Sequence, residues 1–82
     1  MQITTFDRKL WHLTSFDTVG YNRKAREFVV YLFDGTQIHL FDVEEIDIFH
    51  FLTALNKDNF LLQILLTRYP YIQIKDKVSH PI

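Results

Sequence analysis

The chain has 82 residues, 48% of them hydrophobic and 16% aromatic, with two Gly, two Pro, no Cys and a formal net charge of −1. That composition describes one packed domain near the size at which a single core becomes thin, and it excludes a disordered chain. It also excludes disulfides, zinc–thiolate sites and thiol catalysis, and gives no overall attraction to nucleic acid.

The first residues form no apolar h-region, and no long uninterrupted apolar span follows. Export and membrane insertion are not expected, and a cytoplasmic protein is. Ile3-Thr4-Thr5-Phe6 is β-prone and is a candidate first strand, interrupted by Asp7-Arg8-Lys9. Leu10, Trp11 and Leu13 resume an apolar pattern, and a strand is predicted over 15–21. A polar turn, Tyr21-Asn22-Arg23-Lys24-Ala25-Arg26, leads into the central stretch Glu27–Asp42.

That stretch reads as a β-hairpin with strands over 27–33 and 36–41. Asp34-Gly35 between β-branched and aromatic runs suits a two-residue type I′ turn, which needs φ > 0 at both central positions. Tyr31 then faces Ile38, Val29 faces Leu40, and Phe28 faces Phe41. Period-2 alternation puts Val29, Tyr31, Phe33, Ile38 and Leu40 on the core face. Phe28, Val30, Leu32, Gln37, His39 and Phe41 fall on a second, unusually apolar face that the rest of the chain or another molecule must cover. A three-residue loop with a Gly bulge would shift the register by one and exchange part of these faces.

Helix signals begin at residue 42. Asp42-Val43-Glu44-Glu45 has capping-box form, with Asp42 as N-cap and Glu45 at N3. Ile46, Phe49, Leu52 and Leu55 recur at helical spacing, widened by Ile48 and Phe51 into the expected buried stripe. Asn56-Lys57-Asp58-Asn59 breaks that helix and caps a second from Asp58. Phe60, Leu61, Leu62, Ile64, Leu65 and Leu66 are apolar almost all the way round, as in a helix that is sandwiched or presented to a partner. Tyr69 precedes Pro70 and is pushed out of α conformation, which ends the helix. Tyr71–Ile74 is a candidate last strand, and 75–82 a tail. The predicted fold is α+β: an antiparallel β-meander of three to five strands with two helices packed on one face, in a single domain.

The order β-β-β-α-α followed by Tyr-Pro-Tyr resembles the KTSC domain, which occurs alone in bacteria and phages and at the C-terminus of some lysyl-tRNA synthetases. Val19-Gly20-Tyr21-Asn22 stands where that family has V-G-Y-D, and Phe33-Asp34-Gly35 where it has its F-x-x-G hairpin. Val43 and the following helix match V-P-x-x-V, Asn56-Lys57-Asp58-Asn59-Phe60 matches S-K-G-x-F, and Arg68-Tyr69-Pro70-Tyr71 matches R-Y-P-Y. The span is about residues 14–74, leaving 1–13 as an N-terminal extension. The resemblance implies RNA binding. Two departures weigh against it here: the family's central Y-x-Y falls on Ile38-His39-Leu40, and its polar helix positions fall on Leu61, Leu62, Leu65 and Leu66.

No chemistry-bearing motif stands out. His12, His39, His50 and His80 are dispersed, with no H-x-x-x-H pair, and there is no glycine-rich phosphate loop. Ser15 and Asp17 with a distant His could be drawn as a triad, but triads are recognised by geometry. The expectation is therefore no catalytic residue, no metal and no cofactor. For RNA, Arg8, Lys9, Arg23, Lys24 and Arg26 with Trp11 and Tyr21 are the candidate contacts, since basic groups track phosphates and rings stack bases. Residues 1–26 hold five basic and two acidic groups, against one and seven in 27–58. For protein, Leu61, Leu62, Leu65 and Leu66 are the candidate centre of an interface, with Phe28, Val30, Leu32 and Phe41 as the alternative. A non-enzymatic protein-binding module, adaptor, regulator or inhibitor, is the expected function, with a homodimer as its simplest assembly and RNA binding as the alternative.

Overall fold

The computed structural model describes residues 2–75. Five strands, β1 (Gln2–Thr5), β2 (Phe16–Asn22), β3 (Glu27–Leu32), β4 (Gln37–Leu40) and β5 (Tyr71–Ile74), form one antiparallel sheet ordered as they occur in the chain. Helix α1 (Glu45–Thr53) and a second helical segment, α2 (57–68), intervene between β4 and β5 and pack on one face of the sheet. The fold is the α+β class that the pattern predicts, with the candidate first and last strands both present. Of the tail read over 75–82, only Lys75 lies within the described residues.

The central hairpin takes the shifted register. Phe28 pairs with Leu40, Val30 with Ile38 and Tyr31 with Gln37. The loop is Phe33-Asp34-Gly35: Gly35 N–H donates to Leu32 O at 3.1 Å, and Leu32 N–H donates to Thr36 O at 2.8 Å. Gly35 has φ 93°, the left-handed position of a three-residue loop with a Gly bulge. Asp34 helps to fix it, accepting the Thr36 N–H at 2.9 Å. That one-residue slip turns every β3 side chain over. Phe28 and Val30 lie fully in the core with Leu32 packed beside them, which corrects their assignment to an outer face. Val29, Tyr31, Phe33, His39 and Phe41 stand on the opposite side.

A second irregularity serves the same core. Between Phe16, opposite Leu32, and Thr18, opposite Tyr31, β2 carries Asp17 as an extra residue. The bulge lets Phe16 and Val19, three apart, both point inward. Between sheet and helices Phe51 is the hub, fully buried, with ring centroids 5.3 Å from Phe28, 6.0 Å from Phe16, 6.1 Å from Phe6 and 6.2 Å from Phe60. Burying such a ring is worth about 1.5–3 kcal/mol, with more from edge-to-face geometry.

Helix α1 starts later than the capping box places it. Asp42 sits at φ 58°, and Glu44 is the N-cap, its side chain making no capping hydrogen bond. The left-handed residue turns the chain from β4 onto the sheet face, which a capped helix from Asp42 would prevent. In α2 the N-cap is Asn56, not Asp58, and its side chain accepts the Asn59 N–H at 3.0 Å. Asp58 instead reaches back to Thr14 and Ser15. The segment is α-helical over Lys57–Phe60, widens to a π-helix over Leu61–Leu65, and closes α-helical over Leu66–Arg68. Leu61 and Leu65, four residues apart, lie on one side of the segment and both bury. They are core, which corrects their assignment to an interface. Leu66 is half-buried against that core, and of the four leucines only Leu62 stays exposed, at 58%.

Candidate protein-binding face

Helix α1 presents two apolar sides. Ile48 and Phe51 enter the core together with Asp47, and the opposite side carries Ile46, Phe49 and Leu52. Ile46 is 56% exposed and Phe49 59%, and Leu55, just beyond the helix, is 86% exposed. The stripe that sequence spacing marks as buried is thus mostly at the surface. Its phase is decided by Asp47, which looks like a solvent residue in sequence and is 5% exposed.

Asp47 is buried because α2 brings it partners. Arg68 Nη1 donates to both carboxylate oxygens, at 3.1 and 3.0 Å, and the Tyr69 hydroxyl donates a short hydrogen bond to Oδ2. Burial by itself raises the Asp47 pKa, but the hydrogen bonds from Tyr69 and Arg68 outweigh it and hold the carboxyl below its ordinary value. Tyr69 moves the other way, raised by burial and by its bond to the carboxylate. The bridge fixes the rotation of α1 about its axis, and with it which apolar side looks outward.

The far end of α1 is held by Lys57. Its ammonium is fully buried and donates to the carbonyls of Leu52 at 2.7 Å, Ala54 at 2.9 Å and Phe51 at 3.4 Å. It lies 3.9 Å from the Trp11 ring centre and 5.1 Å from that of Phe6. Burial pushes its pKa below the ordinary lysine value. Carbonyls left over at a helix end and aromatic faces are both partners for a cation.

Beside the outer side of α1 runs an open groove of about 670 Å³, lined by Gln2, Tyr21, Arg23, Glu45, Ile46, Ile48, Phe49 and Leu52. Its floor is apolar. Its rim carries the Arg23–Glu45 ion pair, 2.6 Å long, and the Tyr21 hydroxyl donates to Val43 O at 3.0 Å. The size is that of a small binding cleft. Among the described residues no three His, Cys, Asp or Glu side chains gather as metal ligands, and no helix is long and apolar enough to cross a membrane.

The basic candidates fall into two groups at opposite ends of the sheet, separated by the length of β2, about 20 Å. Arg23, Lys24 and Arg26 stand in the β2–β3 turn, next to Tyr21. Arg8, Lys9 and Trp11 follow β1 at the other end. There Arg8 pairs with Asp17 at 3.6 Å and lies 4.3 Å from the Phe33 ring centre, while Trp11 is occupied by Lys57. At the β2–β3 turn, Glu44 and Glu45 share the pocket of Arg23 and Arg26.

The chain matches no protein-family model and no curated protein. The site therefore rests on its own geometry. Of the expected interface residues, Phe41 stands half-buried on the open sheet face. On that face His39 hydrogen-bonds Glu27 at 2.8 Å and Gln37 at 2.9 Å, which ties the open surface together rather than leaving a vacant ligand. Among the candidate interface leucines only Leu62 is strongly exposed. The α1 outer side is the surface that sequence reasoning missed. The legible clue was that apolar residues occupy both 46/49/52 and 48/51, more of the helix circumference than one sheet can cover.

Proposed function

We propose that the protein is a non-enzymatic protein-binding module, a small adaptor, regulator or inhibitor of a larger complex, that docks its partner on the outer side of α1 and in the adjoining groove. One observation carries the reading: a nine-residue helix already packed through Ile48 and Phe51 exposes Ile46 and Phe49 by more than half on its opposite side. Contiguous exposed apolar surface of this kind marks interaction sites in soluble proteins. The exposed Phe is the anchor type such sites favour. Self-association belongs to the same reading, and the protein works in the cytoplasm.

The test is affinity capture from native extract with the wild-type chain and Phe49→Asp, with and without RNase. The reading expects a defined protein that survives RNase and is lost with Phe49→Asp, while both chains keep the same circular dichroism. Equal recovery by both chains would overturn it.

RNA binding, which the KTSC resemblance implies, is the second reading. It is favoured by Tyr21, Arg23, Lys24 and Arg26 meeting at one turn and opposed by the acids there. Arg23→Glu with Lys24→Glu would then weaken RNA retention and flatten its salt dependence. An unchanged titration removes this reading.

A further inference from the structure

The sheet ends at β5, and among the described residues no strand lies beyond it. The direction of its free backbone groups follows from one bond: Phe41 N–H donates to Pro70 O at 3.0 Å, one step along the register that pairs Leu40 with Tyr71. Hydrogen-bonded and non-bonded pairs alternate in an antiparallel ladder. Ile72 and Ile74 therefore turn their N–H and C=O toward β4, and Tyr71 and Gln73 turn theirs outward. Folded proteins guard such an edge with charge, proline or a bulge. β5, Tyr-Ile-Gln-Ile, has none of these within it, and Tyr71, Ile72 and Ile74 are 43%, 50% and 44% exposed.

We propose that two copies of this chain join edge to edge, β5 antiparallel to β5, into one continuous ten-stranded sheet. This deepens the self-association part of the reading above and is independent of the α1 face. The occupant is argued from complementarity. Pairing Tyr71 with Gln73 of the second copy, and Gln73 with its Tyr71, uses every outward backbone group of the strand in four hydrogen bonds. Ile72 then meets Ile72 across the two-fold axis as a non-bonded pair, where side chains approach closest. A β5-to-β1 contact would be head-to-tail and would not close, whereas β5 to β5 closes at two. β1 also offers only one large apolar side chain, Ile3. The contact is short, below the roughly 800 Å² per partner of a standard interface, so the dimer depends on concentration.

The chain has no cysteine, so Ile72→Cys introduces a single thiol. Facing residues of a non-bonded pair lie about 4.5 Å apart at Cα, within disulfide reach. Under mild oxidation Ile72→Cys is expected to cross-link about tenfold faster than Leu55→Cys, the exposed control away from the edge. In sedimentation, the wild type is expected to dimerise with rising concentration, and Gln73→Pro, which removes an outward N–H and none that bonds β4, to remain monomeric. Ile72→Glu and Ile72→Lys should each be monomeric alone and associate when mixed, a rescue that a misfolded variant would not show.

A wild type that is monomeric at all concentrations, equal cross-linking rates for the two thiol variants, or an intact Ile72→Glu dimer would each overturn the proposal. If Phe49→Asp abolishes the dimer while Ile72→Glu keeps it, self-association runs through α1 and the edge proposal falls alone. If extract capture is insensitive to Phe49→Asp but Ile72→Cys cross-links as expected, the α1 reading falls and this one stands.

Discussion

The Lys57 ammonium sits 3.9 Å from the centre of the Trp11 indole, and among the described residues no carboxylate is bonded to it. It joins the N-terminal segment, the end of α1 and the start of α2 at one buried point. Replacing it with Met keeps the length and loses the three hydrogen bonds to carbonyls. Leaving buried acceptors unpaired costs about 1–3 kcal/mol, and Lys57→Ala should cost more by adding a cavity. Trp11 is the single tryptophan, so its fluorescence in a urea titration reports the change directly. An unchanged midpoint for Lys57→Met would show that the cage does not stabilise the fold.

Acid should weaken the fold through Asp47. Its folded pKa lies below its ordinary value, so the stability it contributes is present above about pH 4, the unfolded value. That contribution is lost as the pH falls through the folded value, where protonation breaks the bridge to Arg68. Asp47→Asn should be less stable at pH 7 and show a flatter acid limb. Tyr69, raised in the fold, gives the opposite limb, losing its contribution as pH rises through its folded value above 10. Denaturant midpoints across the pH range check both, and parallel acid limbs for wild type and Asp47→Asn would refute the first.

The hairpin register should hang on Gly35. At φ 93° a Cβ clashes with the neighbouring carbonyl, and Gly35→Ala should cost about 1–2 kcal/mol. Asp34→Ala, which removes only the bond to Thr36, should cost less. Thermal unfolding of the two variants ranks them, and the reverse order would mean that the loop does not depend on the left-handed residue.

Core and surface can be separated on neighbouring leucines. Leu65→Asp puts a charge into the core and should abolish cooperative unfolding. Leu62→Asp, one turn away at an exposed position, should shift stability by no more than about 0.5 kcal/mol, as should Phe49→Asp on the outer side of α1. Near-ultraviolet circular dichroism with urea titration reads all three. A collapsed signal in Phe49→Asp would make that ring a core residue.

The sequence by itself determined the class and order of the elements. Strands read at 15–21, 27–33 and 36–41 fall within a residue of those observed, and the stop at Tyr69-Pro70 holds, while the helix break read at 56–59 lies at 54–56; these follow from local rules: β-branched runs, turn residues, proline sterics. A local rule also offered both hairpin registers, since Asp-Gly suits a two-residue turn as well as the end of a three-residue loop. Choosing between them required the helices, because only the register that turns Phe28 and Val30 inward meets Phe51. The rotation of α1 was likewise settled across 21 residues of sequence, by Arg68 reaching Asp47. Periodicity records which side chains are apolar. Which of them find cover depends on partners distant in the chain, and so the outward side of α1 and the open edge of β5 were decided by the tertiary structure.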